Sequence, residues 1–171
     1  ICLREAMKKF FVIGNRVSKS LSPTIFNYWF KKYNIDACYD YFELNDKNFD
    51  LKIKNLLTEK SVMGLNITIP FKQKIMKYIN SFDTHAKKIN AVNCVSLKTK
   101  TKGFNTDWEG YYKTLSTIKN INKKKIIIIG YGGAALAIHY LLNIKGCKKI
   151  SIFNRSKRKL QFVKDAKFTK S

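Results

Sequence analysis

A run of four isoleucines followed by a glycine-rich turn constrains the fold of this 171-residue chain more than any other stretch. The segment 125–129 reads KIIII, a continuous strand of the kind found in parallel sheets that are buried on both faces. The sequence GYGGAA follows at 130–135 and opens a helix that runs to about residue 144. A further strand is predicted at 149–153. A strand, a glycine-rich turn, a helix and a strand in this order are typical of a dinucleotide-binding unit.

The glycines of this turn have a physical role in such a unit. Gly130 and Gly132 let the backbone turn tightly and approach a pyrophosphate, whose charge is favoured by the helix N-terminus that follows. The alternative is a purely structural turn between a strand and a helix. We favour the binding interpretation because the strand and the helix that it requires are both present.

The stretch after the second strand of this unit predicts which dinucleotide binds. Sites selective for NAD usually place Asp or Glu there to hold the ribose hydroxyls, whereas this chain reads NRSKRK at 154–159. No carboxylate would repel a 2′-phosphate, and Arg155 can hold one with two hydrogen bonds. We therefore expect NADP rather than NAD. A solvated basic helix start would also explain the stretch, although Arg is scarcer than Lys in this chain.

A second informative stretch, NITIPFK at 66–72, lies in the first half of the chain. The alternation of polar and apolar residues places Asn66 and Thr68 on one face of a predicted strand, and Pro70 should end that strand. A helical pattern follows, so we expect Lys72 at a helix start, where the helix dipole disfavours a cation. That placement suits a lysine that transfers protons. The alternative is a solvated lysine in an ordinary strand-to-helix turn.

Serines follow the predicted strand at 10–14. Ser22 is expected to cap the next helix, with Pro23 at the first helical position. Alternatively, Ser20 and Ser22 both offer hydroxyls to a polyhydroxylated ligand. One serine suffices for capping, so the additional ones favour binding.

Two further polar residues stand beside predicted elements. Asn93 is polar among the apolar neighbours of a predicted strand at 91–97. Asp107 precedes a helix predicted from about 108 to 118, and it either caps that helix or holds a substrate hydroxyl or pairs with Lys72. The sequence does not rank these uses of Asp107.

The order of the elements predicts an α/β fold with a mostly parallel sheet, followed by an incomplete Rossmann-type domain. A strand at 39–44 and helices at 49–57 and 82–89 complete the first part. The predicted divisions are a substrate-binding domain at 7–107, a linking helix and boundary at 108–122, and a partial nucleotide-binding domain at 123–171.

The chain is strongly basic, with 34 Lys and Arg against 11 Asp and Glu and a formal net charge of +23. Such a charge raises nucleic acid as a partner. However, the basic residues are mostly Lys, spread along the whole chain, and the abundance of Ile, Asn and Lys indicates AT-biased coding. We therefore expect no specific nucleic-acid partner, and a salt-dependent attraction of anionic small molecules.

Cysteine and histidine do not indicate a metal site. The four cysteines are widely spaced without a CxxC pair, so reduced thiols in a cytoplasmic protein are the expectation. His85 and His139 are isolated from each other in sequence. No apolar run approaches the length of a membrane span, and we expect no membrane partner.

Six motifs in this order resemble those of the shikimate dehydrogenases. They are the loop 18–23 and the stretches 66–72, 91–93, 105–107, 130–134 and 154–156. The resemblance covers the chain from Met7 onward. It implies NADP-dependent interconversion of 3-dehydroshikimate and shikimate in aromatic amino acid biosynthesis, with a small-molecule substrate and a monomer or homodimer. A quinate/shikimate dehydrogenase with relaxed specificity and a non-catalytic nucleotide- or polyol-binding module are the alternatives.

The resemblance also implies roles for individual residues. The catalytic pair is Lys72 and Asp107, and substrate binding falls to Ser20, Ser22, Asn66, Thr68, Lys72, Asn93 and Asp107. Cofactor binding falls to Gly130, Gly132, Gly133, Ala134, Asn154, Arg155, Ser156 and Lys159.

The chain departs from the family pattern in a few places. Asn90 stands where Gly is usual, Cys94 replaces a more usual Thr, and Arg16 stands where Pro is common. Asn tolerates unusual backbone angles, so we expect the first change to be mild. The second domain is also short, so we interpret the chain as the N-terminal part of a longer protein and expect it to be inactive or weak alone.

Overall fold

The computed structural model describes residues 7–154 and the backbone of residues 167–169. A first sheet contains β1 (Lys8–Gly14), β2 (Ala37–Glu43), β3 (Val62–Ile67), β4 (Ser81–Phe82), β5 (Cys94–Ser96) and β6 (Lys102–Phe104). The helices of this part are α1 (Ser22–Lys32), α2 (Phe49–Thr58), α3 (Thr84–Ile89) and α4 (Asp107–Leu115). Short 3-10 helices lie at Lys74–Tyr78 and Ile121–Lys123.

The first sheet has the strand order β2-β1-β3-β5-β6-β4. β1 pairs in parallel with both β2 and β3, and β4 pairs in parallel with β6, whereas β5 is antiparallel to its neighbours. The predicted α/β class with a mostly parallel sheet is confirmed. Because β1 and β3 are parallel neighbours, the segments that follow them leave the sheet at the same edge, which is where α/β proteins place their ligands.

Buried apolar side chains hold this sheet to its helices. Ile13 and Ile67 are fully buried or nearly so, and Phe49 from α2 stacks on Phe71 with ring centroids 4.4 Å apart. Burying side chains of this size stabilises a fold by roughly 1.5–3 kcal/mol each. Phe71 thereby anchors the turn that carries Lys72.

A second sheet follows, with β7 (Ile126–Ile129), β8 (Ile150–Phe153) and β9 (Lys167–Thr169) in parallel and in that order. Helix α5 (Gly133–Ile144) connects β7 to β8. The buried residues of this helix are Leu136, Ala137, His139, Tyr140, Leu141 and Leu142. The sheet with its helix is the three-stranded half of a doubly wound nucleotide-binding fold. The Rossmann-type unit predicted from the isoleucine run and the glycine-rich turn is confirmed.

An aromatic cluster joins the two sheets through three helices. His85 of α3 stacks on Trp108 of α4 with ring centroids 4.0 Å apart, and its Nδ1 lies 3.0 Å from the hydroxyl of Tyr140 on α5. The cluster includes Trp108 in the first turn of α4, which is the helix predicted to link the two domains. The boundaries 7–107, 108–122 and 123–171 themselves stay a prediction.

Several local expectations are wrong. Pro70 is followed by a turn and the five-residue 3-10 helix rather than an α-helix, so the helix-dipole argument for Lys72 has no α-helix behind it. The strand predicted at 91–97 is confined to β5, because the backbone amide of Val92 bonds to a loop carbonyl, that of Lys72. The cysteines at 94 and 147 are free thiols, but Cys38 is disulfide-bonded, against the expectation of reduced thiols.

No helix in the described part of the chain is long and apolar enough to cross a lipid bilayer.

Asn90 occupies a left-handed backbone conformation at the end of α3, with φ 57° and ψ 42°. This explains why Asn can replace Gly here. We expect Asn90→Ala to lose about 1 kcal/mol of unfolding free energy, because a Cβ without a polar group is disfavoured in this region. Asn90→Gly should be close to neutral. Urea unfolding of the two variants tests this, and equal stabilities would contradict it.

His139 of α5 is fully buried, and its Nδ1 lies 2.7 Å from the hydroxyl of Tyr131. Burial lowers the pKa of His139 from 6.5 to about 4. Below about pH 6.5 the unfolded chain binds a proton at this histidine that the native chain does not bind. The unfolding free energy is therefore highest above that pH and falls as the pH approaches 4. This pKa shift corresponds to a loss of roughly 3 kcal/mol of unfolding free energy at low pH.

The expected result is a lower unfolding free energy at about pH 5 than at about pH 7, measured by urea denaturation. His139→Gln cannot titrate and should show a flatter profile over the same interval. A profile as steep in His139→Gln as in the wild type would show that other groups cause the acid sensitivity.

Candidate active site

An ion pair between Lys72 and Asp107 lies at the edge of the first sheet. The Nζ atom of Lys72 is 2.8 Å from Oδ2 of Asp107, and the side chains are only 13% and 20% exposed. The other carboxylate oxygen, Oδ1, accepts a hydrogen bond of 2.8 Å from the amide of Asn93. Asp107 is the first residue of α4, and no side-chain bond caps that helix at Thr106. Of the uses considered for Asp107, the structure therefore shows the pairing with Lys72.

The backbone around this pair is held by amide side chains. Asn93 Oδ1 accepts a bond of 2.9 Å from the amide of Thr106. Asn105, which is buried, donates to the carbonyl of Ala91 at 2.9 Å and accepts from the backbone amide of Asp107 at 3.1 Å. These bonds tie the segment before β5 to the start of α4. Asn105 lies in the 105–107 motif, but the sequence did not identify it as a supporting residue.

A cavity of about 510 Å³ opens beside the ion pair. All seven residues predicted to bind substrate line it: Ser20, Ser22, Asn66, Thr68, Lys72, Asn93 and Asp107. They come from the loop after β1 and the start of α1, from the end of β3 and the turn after it, and from the residue before β5 and the start of α4. The cavity is thus built where the strand order brings these segments together.

The two serines of the first loop have different local roles. α1 begins at Ser22 itself and its capping position is Leu21, so the expectation that Ser22 caps the helix is wrong by one position. The hydroxyl of Ser20 instead accepts a hydrogen bond of 3.2 Å from the backbone amide of Ser22. Pro23 stands at the start of the helix, as expected. Both serines remain on the cavity wall.

Tyr39 of β2 supports the cavity and was missed by the sequence reasoning. It is buried, stacks on Phe26 with centroids 4.5 Å apart, and donates a hydrogen bond of 2.7 Å to Asn66 Oδ1. Burial raises the pKa of Tyr39, and a hydrogen bond with Ser22 offsets part of that rise. Tyr39 therefore stays protonated and fixes the orientation of the Asn66 amide. The only available signal was its place in a strand rich in tyrosine.

Basic residues stand at the rim of the same cavity. Arg16 and Lys19 line it together with Lys72. Arg16 has a positive φ of 76°, a conformation that proline cannot adopt, so the family's usual residue would require a different loop here. Glu43 holds the loop by accepting a bond of 2.9 Å from the amide of Ser18, and this bond is the main cause of the lowered pKa of Glu43. The rim favours an anionic ligand.

A second cavity, of about 550 Å³, lies between the turn after β3 and the glycine-rich turn after β7. Its lining includes four of the predicted cofactor-binding residues, which are Gly130, Gly132, Gly133 and Asn154. Ala134 does not line this cavity and instead borders an apolar groove along β7. The predicted contacts of Arg155, Ser156 and Lys159 lie outside the described residues.

The glycine-rich turn has the shape that a pyrophosphate requires. Gly130 has a φ of +85°, and a Cβ added at Gly130 or Gly132 would meet no atom within 4 Å. Backbone amides at the start of the twelve-residue helix α5 border this open space. Exposed amides at a helix N-terminus favour phosphate groups. The residues present therefore fit a dinucleotide.

Lys72 lines both cavities. Its ammonium group pairs with Asp107 on the wall of the polar cavity, and its stem carbons lie against Gly133 of the glycine-rich turn. Among the described residues there is no group of three or more His, Cys, Asp or Glu side chains that could hold a metal ion.

Comparison with known proteins agrees with this arrangement. Residues 12–95 match the family model of the shikimate dehydrogenase substrate binding domain. A shikimate dehydrogenase (NADP(+)) from Saccharolobus solfataricus is 39% identical over 151 residues, which is 88% of this chain and 54% of the relative. The chain therefore spans about half the length of the curated relatives it matches.

Solved structures give the same result. A shikimate dehydrogenase from Peptoclostridium difficile superposes with a TM-score of 0.85 at 29% identity, over 95% of this chain and 61% of the other. The enzyme from Thermus thermophilus, solved in complex with NADP(H) and shikimate, superposes with a TM-score of 0.72 at 26% identity, over 88% and 57%. Residues 12–95 of this chain therefore form a substrate-binding domain of the shikimate dehydrogenase family.

Proposed function

We propose that this chain carries the substrate site and part of the NADP site of a shikimate dehydrogenase, which interconverts 3-dehydroshikimate and shikimate. The observation that carries the proposal is the Lys72–Asp107 ion pair, placed where a polar cavity and a dinucleotide-shaped cavity share a wall. A relative that is 39% identical is named for NADP(+) dependence. A structural neighbour was solved with NADP(H) and shikimate.

The polar cavity suits a small ring that carries several hydroxyls and a carboxylate. Amides and hydroxyls of Asn66, Thr68 and Asn93 offer hydrogen bonds, and the serines of the first loop offer two more hydroxyls. The cationic rim at Arg16 and Lys19 favours a negatively charged substrate. Charge and hydrogen-bonding capacity together match shikimate better than a neutral polyol.

Lys72 and Asp107 would handle the proton of the reaction. When NADP is bound, its nicotinamide accepts or supplies the hydride. The substrate oxygen gains or loses a proton in the same interconversion, and Lys72 is the group on the cavity wall that can donate or accept it. Asp107 holds the ammonium of Lys72 in place and can accept a hydrogen bond from a substrate hydroxyl.

NADP is the proposed cofactor. The glycine-rich turn and Asn154 border the second cavity. The sequence after Asn154 reads RSKRK, which contains no carboxylate to repel a 2′-phosphate. A monomer or homodimer, a cytoplasmic location and the lack of a specific nucleic-acid partner stay predictions.

The first test removes the ammonium group. Lys72→Met keeps most of the apolar stem but cannot transfer a proton or pair with Asp107. The 171-residue chain is expected to be weakly active at most, so we expect its residual shikimate-dependent formation of NADPH to fall by about 10²–10⁴-fold, to or below detection, with NADP⁺ affinity nearly unchanged. Absorbance of NADPH measures the rate, and calorimetry measures binding of NADP⁺ and of shikimate to the 171-residue chain.

Quinate and NAD⁺ serve as the comparison ligands in this test. Binding of shikimate in preference to quinate, and of NADP⁺ in preference to NAD⁺, is expected. A wild-type chain that binds neither shikimate nor NADP⁺ contradicts the proposed function. Equal use of quinate would favour the relaxed enzyme, and turnover that survives in Lys72→Met would remove the lysine from the mechanism.

The second test concerns Tyr39, which orients the amide of Asn66. Tyr39→Phe keeps the ring that stacks on Phe26 and removes only the hydroxyl. Loss of one such hydrogen bond costs about 1 kcal/mol, so we expect shikimate affinity to fall by about fivefold. Affinity for NADP⁺ should not change, because Tyr39 does not line the cavity over the glycine-rich turn. A matched loss of both affinities would instead indicate general damage to the fold.

A further inference from the structure

We propose that Gly133 is a positioning residue for Lys72, because its missing side chain leaves the space through which the lysine reaches Asp107. In such a turn, glycine is ordinarily explained by the approach of the cofactor or by close packing of the helix on its sheet. At this position the group that approaches is a side chain from the first sheet. The importance of the contact for catalysis rests on the proposed function, whereas the contact itself does not.

The stem of Lys72 passes directly over Gly133. A Cβ added at Gly133 would lie 2.8 Å from Cβ, 3.0 Å from Cδ and 3.3 Å from Cγ of Lys72. Carbon atoms that are not bonded approach comfortably only to about 3.5–4.0 Å. The closest atom is the Cβ of Lys72, which moves only with the backbone. A different rotamer at the ammonium end would therefore not make room for a methyl group.

Lys72 has little freedom to move away. Its carbonyl accepts a hydrogen bond of 2.7 Å from the backbone amide of Val92, and its Nζ is paired with Asp107 at 2.8 Å. The preceding residue, Phe71, is fully buried against Phe49. A side chain at Gly133 would therefore displace either this turn or the start of α5. Movement of the turn changes the distance between Lys72 and Asp107 directly. Movement of α5 acts through α4, which begins at Asp107 and whose Trp108 packs on Tyr140 of α5.

The neighbouring Gly132 provides a matched control. Its φ of −90° is open to any residue, and a Cβ added there would meet no atom within 4 Å. Gly132 also lines the cavity that fits the dinucleotide. Two adjacent glycines thus face different groups, since Gly132 faces the cofactor space and Gly133 faces the lysine.

The experiment compares Gly132→Ala with Gly133→Ala in the 171-residue chain. The state of the ion pair is followed by the side-chain ammonium signal of Lys72 in ¹H–¹⁵N NMR, assigned by its loss in Lys72→Met. Affinity for NADP⁺ is measured by calorimetry. We expect Gly133→Ala to lose or shift the Lys72 signal, and Gly132→Ala to keep the signal while weakening NADP⁺ binding more strongly.

A stability cycle covers the case in which Gly133→Ala folds poorly. Lys72→Gly removes the three carbons that the added methyl would meet. The loss of thermal midpoint caused by Gly133→Ala should therefore shrink or vanish in the Lys72→Gly background, and refolding of an otherwise unfolded Gly133→Ala chain by this second change would count equally. Cycles of this kind isolate the interaction between two residues.

Two outcomes overturn the inference. One is an unchanged Lys72 ammonium signal in Gly133→Ala, and the other is an equal stability loss in both backgrounds. If the wild-type chain binds neither shikimate nor NADP⁺, the proposed function fails, but the ammonium signal and the cycle still decide the role of Gly133.

Discussion

The carboxylate of Asp107 is the point on which the rest of the candidate site depends. One oxygen accepts from Lys72, which is 35 positions earlier, and the other accepts from Asn93, which is 14 positions earlier. A charge that is largely removed from water is tolerated only when it is paired and hydrogen-bonded. Each partner therefore makes the placement of the others possible, and the three residues form a unit rather than a set of independent contacts.

The strand order explains why these distant residues meet. β1 lies between β2 and β3, and β5 runs antiparallel beside β3, so the end of β3 and the start of β5 lie at the same edge of the sheet. Asn66 is paired with Cys94 in the register of these strands. Asn93 is thereby placed on the wall of the polar cavity. The glycine-rich turn of the second sheet faces the same edge and contacts Lys72, which joins the two cavities.

Local sequence patterns predicted most of the elements but not all of their ends. The isoleucine run and the glycine-rich turn predicted β7, α5 and β8 closely, because such patterns report burial and backbone freedom directly. The helix expected after Pro70 fails, since burial of Phe71 and Ile75 produces the same apolar spacing in a turn and a 3-10 helix. The prediction of a strand at 91–97 is wrong at its start, because β5 begins only at Cys94. The apolar character of Val92 does not reveal that its backbone amide bonds to a loop carbonyl.

The sequence by itself determined the fold class and the dinucleotide-binding unit, because residue types and their order carry that information. Its resemblance to a known family indicated the seven side chains that line the polar cavity. Only the tertiary structure decided that Asp107 pairs with Lys72 instead of capping its helix, that Tyr39 orients Asn66, and that Gly133 faces a lysine stem. These relations depend on distances between segments remote in the chain. Such distances are set by strand order and core packing, which no local pattern of residues encodes.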